Sequence, residues 1–390
     1  MTKQLKIFII TGEESGDMLA ARVVEALKNE LKGSQSIELL LLGVGGKHLA
    51  EQGLNSLFDF KELSIMGFVD VAKKIFKLKK LIKITANKIA SINPDIVLTV
   101  DSGGFCFRVV NLAKDILQQK TKENNNKMKF YHYISPAVWA YGEERGLKLK
   151  KLYHRIFCLY NFEPPYFTKY GLDAICVGTS FNYKDEAIVL KETLSQKYLL
   201  KKPILAVTLG SRKSEIEKHS VIISKLFNSA NIEQNYSVVF LATHSSSDLV
   251  RSKFCNHLVI TTRDDKILLM KEAKLAIAKS GTNAMEFLAN GIKCLVYYKF
   301  AWLNFFIASF FVKVKFANIV NIVKNKMLVI ECVNKDCTIE KIKKEFKLIE
   351  QGYYDNQYKE AFAIVNSQQN NHQKPQTIVA KSILTDYFFK

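Results

Sequence analysis

The chain has 390 residues, which exceeds the usual size of a single hydrophobic core, so we expect two domains. A hydrophobic content of 48% with 11% aromatic residues excludes an intrinsically disordered chain. The formal net charge of +20 favours an anionic partner, such as nucleic acid, an anionic membrane surface or a phosphorylated substrate, although a solvated basic surface has the same composition.

The cysteines and the apolar runs indicate in which cellular compartment the protein is expected. Seven cysteines are scattered along the chain without a CxxC pair, which favours reduced thiols in a cytosolic protein over a disulfide framework or a zinc site. The first apolar run, IFII, is too short for a signal peptide and is interpreted as a strand. No stretch of the sequence reaches the roughly 18–20 uninterrupted apolar residues that a membrane-spanning helix requires.

Short β-branched runs alternate with helical patterns through most of the chain. The predicted strands lie at residues 6–10, 37–43, 95–101, 128–134 and 155–160, and after Pro203 at 204–210, 236–242, 257–262, 275–279 and 293–298. The predicted helices include residues 17–32, 68–90, 213–228 and 283–290. Strands that are apolar on both faces and alternate with helices predict parallel sheets built from βαβ units.

This alternation predicts an α/β chain of two doubly wound, Rossmann-like domains with a cleft between them. A polar stretch from Gly178 to Pro203 separates the two groups of strands. We predict a first domain over residues 1–180 and a second over 181–350, with the helices of 351–390 rejoining the first. Because ligands of such sheets bind at the carboxyl ends of the strands, the loops after the strands are the candidate binding segments.

The first of these loops, TGEESGD, is acidic where a phosphate-binding loop would present bare backbone. Gly12 and Gly16 permit close backbone approach, while Glu13 and Asp17 can accept hydrogen bonds from hydroxyl groups or hold neighbouring loops. Ser15 is a candidate helix cap, and Asp17 also offsets the helix macrodipole. We predict a loop that positions a hydroxylated substrate rather than one that carries out catalysis.

Asp101 ends the predicted central strand of the first domain. Gly103 and Gly104 follow it and leave room for a ligand. An aspartate in this position is a candidate general base, and the same position suits a residue that caps the next helix.

In the second domain, the loop LGSRKSE follows a strand and opens a helix. Gly210 permits a tight turn, Ser211 is a candidate cap, and the N–H groups of the first helical turn attract anions. Arg212 adds a guanidinium group suited to phosphate oxygens, although a surface arginine on an ordinary turn has the same sequence.

The loop KSGTNAME repeats this arrangement, with Ser280, Gly281 and Thr282 before a helix. Glu286, one turn into that helix, can accept hydrogen bonds from paired sugar hydroxyls or serve only as a first-turn carboxylate. The two loops together predict a site for a nucleotide diphosphate. The patterns GxGxxG and GxxxxGK[ST] are missing from the sequence, which argues against a redox cofactor and against ATP hydrolysis.

The segment VAKKIFKLKKLIKITANK combines an apolar stripe with many lysines. The apolar positions recur at helical spacing and are Val71, Ile75, Leu78 and Ile82. The lysines that flank them are Lys73, Lys74, Lys77, Lys79, Lys80 and Lys83. A basic amphipathic helix of this kind can lie on an anionic membrane, and a core-packed helix with a solvated lysine face has the same pattern.

These motifs occur in the order found in lipid-A-disaccharide synthases, and the chain resembles that family over residues 5–345. The most specific segments are the opening turn TGEESGD, the stretch ELSIMG and the stretch SPAVWA, which other glycosyltransferases lack. The resemblance implies a two-domain, metal-independent glycosyltransferase of the B type (GT-B) that uses no cofactor.

The resemblance also implies a reaction and residues that serve it. The substrates would be UDP-2,3-diacylglucosamine and 2,3-diacylglucosamine 1-phosphate, and the products UDP and the β-1,6-linked lipid A precursor. Asp101 matches the family's catalytic aspartate, and Glu286 matches a carboxylate that holds the ribose of the donor. By the same resemblance, Asn321 belongs to the donor site, and Met66 and Gly67 belong to the acceptor side.

The implied location is the cytoplasmic face of the inner membrane of a Gram-negative-type bacterium. The enzyme would be cytoplasmic and peripherally attached, with Lys73, Lys74, Lys77 and Lys80 at the anionic lipid surface. No nucleic-acid partner is expected. The oligomeric state and the acyl-chain preference stay open.

The chain departs from the family at several positions. Leu209 replaces a usual proline, and Gly104 and Tyr183 each replace an expected aspartate. Gly142 begins a stretch that has lost basic side chains, and Lys326 replaces an arginine. The predicted base, the phosphate-binding arginine and the ribose-binding carboxylate all survive, so we expect the core chemistry to be intact, with room for a changed donor or acyl-chain preference.

Three other interpretations stay open at this point. A soluble UDP-sugar transferase or epimerase of the same architecture would share the GSR and SGTNAME loops without needing the basic helix. A nucleic-acid-binding protein would explain the net charge, but the sequence lacks RRM, KH and helix-turn-helix signatures. An inactive relative would explain Gly104 and Tyr183.

Overall fold

The computed structural model of the protein describes residues 3–32, 37–63, 71–120, 128–142, 144–181, 183, 192–299, 315–368 and 373–389. Two predicted acceptor-side residues, Met66 and Gly67, lie outside these ranges. The chain divides into two compact units, residues 1–179 with 370–390 and residues 180–369, which we call the first and the second unit.

The first unit is built on a parallel sheet of seven strands with the order β3-β2-β1-β4-β5-β6-β7. The strands are β1 (Lys3–Thr11), β2 (Ile37–Val44), β3 (Asn55–Ser56), β4 (Ile96–Val100), β5 (Lys129–Tyr133), β6 (Arg155–Cys158) and β7 (Asp173–Cys176). The helices are α1 (Glu14–Leu31), α2 (Lys47–Glu51), α3 (Val71–Ile92), α4 (Gly103–Lys120), α5 (Val138–Tyr141), α6 (Arg145–Leu152) and α7 (Pro165–Thr168).

The strands of this sheet are buried on both faces because helices cover both sides. Phe8 and Ile10 of β1 point into a core shared with α3 and α4, whereas Ile7 and Ile9 point into a second core shared with α1. All five residues of β4 are buried. This burial on both sides explains why the strands read as continuous apolar runs in the sequence.

The second unit has a parallel sheet of six strands with the order β10-β9-β8-β11-β12-β13. The strands are β8 (Ile204–Thr208), β9 (Ser237–Leu241), β10 (Leu258–Ile260), β11 (Leu275–Lys279), β12 (Lys293–Tyr298) and β13 (Glu331–Val333). The helices are α8 (Leu194–Tyr198), α9 (Lys213–Ala230), α10 (Ile232–Asn235), α11 (Ser247–Lys253), α12 (Arg263–Glu272), α13 (Thr282–Ala289), α14 (Ile319–Lys324), α15 (Ile339–Glu350) and α16 (Asp355–Ser367).

The last helix, α17 (Pro375–Phe388), returns to the first unit and packs on α1. Tyr131 of β5 donates a hydrogen bond to Asp386 of this helix (2.7 Å). The prediction that all of residues 351–390 rejoin the first domain is wrong for α16. That helix packs on the second unit, where the buried Tyr358 donates a hydrogen bond to the carbonyl oxygen of Cys294 (2.8 Å).

Each sheet has a topological switch point between two central strands. In the first unit β1 pairs with β4, although the chain first builds β2 and β3 on the other side of β1. In the second unit β8 pairs with β11 in the same way. Such switch points open a crevice at the carboxyl ends of the strands. All ten predicted strands are present, and the short strands β3, β7 and β13 are additional.

Candidate active site

Asp101 follows β4 at the switch point of the first sheet. Asp101 and Ser102 have φ angles of 53° and 45°, a region that residues other than glycine rarely occupy. The Asp101 N–H donates to the carbonyl oxygen of Tyr133 (3.0 Å), and the carbonyl oxygen of Ser102 accepts from the N–H groups of Phe105 and Cys106. The Asp101 side chain is half-buried, and among the described residues its carboxylate has no hydrogen bond or ion pair.

Gly12 and Gly16 lie beside this turn. A Cβ added to Gly12 would lie 2.8 Å from the Cβ of Ser102, and one added to Gly16 would lie 3.3 Å from the carbonyl oxygen of Val100. Both distances are too short for a side chain without movement of its neighbours. The two glycines therefore allow the start of α1 to approach the end of β4 and the turn that carries Asp101.

Asp17 is buried and holds a neighbouring loop, which is one of the roles predicted for it. Its carboxylate accepts hydrogen bonds from the N–H groups of Gly46 (2.6 Å) and His48 (2.9 Å) at the start of α2. Ser15 is exposed and lies within α1, so the prediction that it caps this helix is wrong. Glu13 occupies the N-cap position without a side-chain capping hydrogen bond.

In the second unit, the turn after β8 begins α9. Gly210 has a φ of 109°, which favours glycine, and Glu215 fills the space that a side chain at this position would need. Helix α9 begins at Lys213, with Arg212 at its N-cap and no side-chain capping hydrogen bond, so the predicted capping role of Ser211 is wrong. Ser211 and Arg212 are both exposed. The uncapped helix start and the arginine suit an anion.

Glu215 is a buried carboxylate beneath this turn. Its Oε1 lies 3.3 Å from Lys279 Nζ and 4.0 Å from Arg212 Nη1, and it accepts a hydrogen bond from Tyr298 Oη (3.4 Å). His219 of the same helix is also buried, and burial lowers the pKa of its ring below the usual value. The histidine is therefore neutral at physiological pH, and the charge of this cluster comes from the other side chains.

The loop after β11 lies next to the turn after β8 because the two strands are paired. Gly281, with a φ of 152°, precedes α13, which begins at Thr282. Thr282 is exposed at the start of this helix. Ser280 Oγ donates a hydrogen bond to the carbonyl oxygen of Ala317 (3.1 Å), so it holds a neighbouring segment. The two predicted phosphate-binding loops therefore meet at one edge of the sheet.

Glu286 is buried one turn into α13. Its Oε1 accepts hydrogen bonds from Lys266 Nζ (2.6 Å) and Tyr183 Oη (3.0 Å). Within the described part of the chain, its Oε2 is buried without a hydrogen-bond partner. One oxygen is thus fixed, and the other is a buried acceptor without a partner, which is costly unless a ligand or a water satisfies it. No sequence motif marks Lys266 or Tyr183 as partners of Glu286.

Asn321, which is predicted to belong to the donor site, is fully buried, and its side-chain amide is engaged within the second unit. Its amide nitrogen donates to the carbonyl oxygen of Val329 (2.7 Å) and to Glu331 Oε2 (3.2 Å). Its Oδ1 accepts from the N–H groups of Leu328 (2.8 Å) and Val329 (2.9 Å). Two donors and two acceptor positions are all that an asparagine amide has, so none is left for a ligand.

The predicted membrane-facing lysines lie on α3. The side chains of Lys77 and Lys80 are exposed, and Lys77 forms an ion pair with Glu62 (2.9 Å). Lys73 and Lys74 belong to the same helix, but their side chains are outside the described part of the chain.

The apolar residues of α3 divide into two groups. Ile75 is 48% exposed and Phe76 is 73% exposed, whereas Ile82 is buried in the core of the first unit. The later part of the helix is therefore core-packed, as one of the two interpretations predicted, and contact of its start with a membrane stays a prediction. In the ranges given above, no helix is both long and apolar enough to cross a lipid bilayer.

Comparison with solved structures defines the class of fold. UDP-GlcNAc 2-epimerase from Neisseria meningitidis bound to UDP-GlcNAc has a TM-score of 0.59 and 13% identity, over 98% of this chain and 100% of that chain. MurG from Acinetobacter baumannii has a TM-score of 0.55 and 11% identity, over 97% of this chain and 99% of that chain. At these identities the likeness concerns the fold, which is the two-domain α/β fold of B-type glycosyltransferases and their structural relatives.

Comparison of sequences then shows the family. The family model for lipid-A-disaccharide synthetase matches residues 7–383. The lipid-A-disaccharide synthase of Rickettsia felis is 34% identical over 347 residues, covering 85% of this chain and 83% of the relative. That of Rickettsia typhi is 30% identical over 396 residues, covering 98% and 99%. The chain belongs to the lipid-A-disaccharide synthetase family and is a glycosyltransferase that forms the lipid A disaccharide.

Proposed function

We propose that the chain joins UDP-2,3-diacylglucosamine to 2,3-diacylglucosamine 1-phosphate and releases UDP, forming a β-1,6-linked disaccharide 1-phosphate with inversion at the anomeric carbon. The observation that carries this proposal is the opposite chemistry of the two switch points. The first presents the carboxylate of Asp101 without a hydrogen-bond or ion-pair partner among the described residues, and the second presents an uncapped helix start with Arg212.

Asp101 acts as the general base in the proposed reaction. As the acceptor hydroxyl oxygen bonds to the anomeric carbon of the donor, its proton moves to the Asp101 carboxylate. The bond between that carbon and the diphosphate oxygen breaks, and its electron pair leaves with UDP. A positioned base contributes roughly 10²–10⁴-fold in rate, because a neutral sugar hydroxyl is a weak nucleophile. The loop from Gly12 to Asp17, with Met66 and Gly67, positions the acceptor.

The second unit binds UDP in this proposal. Arg212 and the N-termini of α9 and α13 contact the diphosphate, where they offset the negative charge that develops on the leaving group. The backbone of the two turns is exposed or can approach the diphosphate closely, and it belongs to Gly210, Ser211, Gly281 and Thr282. The open Oε2 of Glu286 accepts a hydrogen bond from a ribose hydroxyl, while Lys266 and Tyr183 hold the other oxygen.

The acyl chains of both substrates require contact with a membrane, and the start of α3 is suited to it. Ile75 and Phe76 are exposed beside the exposed Lys77 and Lys80. Each lysine near an anionic lipid surface contributes about 1 kcal/mol. We propose that this helix lies on the cytoplasmic face of the inner membrane, and Lys73 and Lys74 stay predicted membrane-surface residues.

Vesicle flotation tests the membrane contact. The double variant Ile75→Ser/Phe76→Ser should bind less to vesicles containing phosphatidylglycerol than the unmodified protein does. Leu199→Ser is the control, because Leu199 is 83% exposed but lies in the second unit. Equal binding by the double variant and the unmodified protein would contradict this role of α3.

The assay that tests the proposed reaction follows UDP release by the purified protein. Release should require both UDP-2,3-diacylglucosamine and 2,3-diacylglucosamine 1-phosphate, and it should produce one disaccharide 1-phosphate per UDP. If UDP is released at the same rate without the monosaccharide 1-phosphate, or is not released at all, the proposed reaction is wrong.

A further inference from the structure

Lys279 is the last residue of β11 and lies at the switch point of the second sheet. Its Nζ is 3.3 Å from Glu215 Oε1 and 5.2 Å from the centroid of the Tyr298 ring. The same Nζ is 3.8 Å from the position that a Cβ on Gly281 would occupy. Because Glu215 lies beneath the turn after β8, the ammonium group of Lys279 lies between that turn and the turn after β11.

Two cations converge on one carboxylate at this place. Arg212 Nη1 lies 4.0 Å from the Oε1 of Glu215 that Lys279 also contacts. The Glu215 side chain is 9% exposed, while those of Arg212 and Lys279 are 50% and 23% exposed. The carboxylate is therefore covered and both cations remain reachable from solvent. Within this group of three described side chains, two positive charges face one negative charge.

On the basis of the proposed UDP site, we propose that Lys279 is a second cationic contact for the diphosphate, beside Arg212. Glu215 holds the ammonium group in place before the nucleotide binds. When the nucleotide binds, Lys279 Nζ donates a hydrogen bond to a phosphate oxygen. A lysine acts as a compact point charge and an arginine as a planar fork, so the two side chains contact different oxygens of one diphosphate.

Isothermal titration with UDP and with uridine tests this role. Lys279→Met should raise the Kd for UDP about tenfold, the size of one hydrogen bond to a charged group. The Kd for uridine should not change, because uridine has no phosphate. Lys279→Arg should recover most of the UDP affinity, because it restores the charge. Lys274→Met is the matched control, since the exposed Lys274 precedes the opposite end of the same strand.

Lys279→Met also removes a partner from the buried Glu215, so a second variant separates the two effects. In Lys279→Met/Glu215→Gln, the proposal predicts that the loss of UDP affinity persists. Recovery of the original affinity would overturn the proposal, because the loss would then come from repulsion by the Glu215 carboxylate once it lacks its lysine partner. Unchanged UDP affinity in Lys279→Met, or an equal loss for UDP and uridine, would also overturn it. If the unmodified protein does not bind UDP, the proposed donor site itself is wrong.

Discussion

The switch points of the two sheets share a topology and differ in chemistry. In the first unit, the rim carries the half-buried Asp101 and the exposed Glu13, and Asp17 occupies the N–H groups at the start of α2. In the second unit, the N-cap residue of α9, Arg212, makes no side-chain capping hydrogen bond, and Arg212 and Lys279 provide positive charge. One fold thus provides two crevices, and the residues at the rim determine whether a crevice suits a hydroxyl group or a phosphate.

The largest expected effect is a loss of turnover without a loss of UDP binding, and it comes from a substitution in the first unit. Asp101→Asn keeps the shape of the side chain and removes its ability to accept a proton at neutral pH. Turnover should fall roughly 10²–10⁴-fold, while the Kd for UDP should stay unchanged. Asp115→Asn, on the exposed surface of α4, is the control and should leave turnover unchanged. Full turnover by Asp101→Asn would show that another group accepts the proton.

A substitution in the second unit should instead weaken the binding of UDP. Arg212→Met should raise the Kd for UDP by roughly 10- to 100-fold, because a charge-assisted contact to phosphate is lost. Isothermal titration measures the change. Arg263→Met is the matched control, because Arg263 also starts a helix but follows the edge strand β10 and not the switch point. Equal effects of the two substitutions would show that position at the switch point is irrelevant.

Buried histidines in both units should make the free energy of unfolding depend on pH. Burial lowers the pKa of His132 in the first unit to about 3, from a usual 6.5. As the pH falls below 6.5, the unfolded chain therefore binds a proton that the folded chain does not bind, and stability is lost. The free energy of unfolding should fall by about 1 kcal/mol between pH 6 and pH 5 from this histidine alone.

Urea denaturation of the unmodified protein and of His132→Gln measures this contribution. Glutamine retains a hydrogen-bonding group for Thr99 Oγ1, which lies 2.7 Å from His132 Nδ1, and does not titrate. The variant should lose less stability than the unmodified protein over the same pH interval. His219 in the second unit makes its own contribution, so the slope should decrease without vanishing. An identical slope in both proteins would contradict the assignment.

The smallest expected effect concerns the ribose side of the donor site. Lys266→Met should raise the Kd for UDP about threefold, because Glu286 loses a partner that orients it. It should also reduce the preference for UDP over 2′-deoxy-UDP, which a purely structural role would leave unchanged. Lys271→Met, an exposed lysine on the same helix, is the control. An unchanged preference for the ribose would show that Lys266 does not position Glu286.

Asp101 and Arg212 could be located from the sequence because Asp101 directly follows β4 and Arg212 belongs to the short turn after β8. The carboxyl ends of parallel strands meet at one edge, so a local pattern is enough to place such residues near a ligand. Asn321 could not be judged in this way. Its contacts run to Leu328, Val329 and Glu331, and only the folded chain reveals that they use its whole amide group.

The partners of Glu286 and Glu215 could not be predicted from the sequence for a different reason. Tyr183 and Glu286 are separated by 103 positions along the chain, and Lys279 meets Glu215 only because β8 and β11 are paired. The destination of α16 was missed because an amphipathic surface helix does not specify which of two units it covers. Pairings of this kind depend on the tertiary structure and leave no local pattern.

Hydrogen exchange with and without UDP tests most directly whether the nucleotide binds at the switch point of the second unit and not at that of the first. UDP should slow exchange of the backbone N–H groups at residues 210–216 and 281–286 and leave residues 101–106 unchanged. Protection at 101–106 without protection at the other two segments would contradict the account, because the nucleotide would then bind at the crevice assigned to the acceptor.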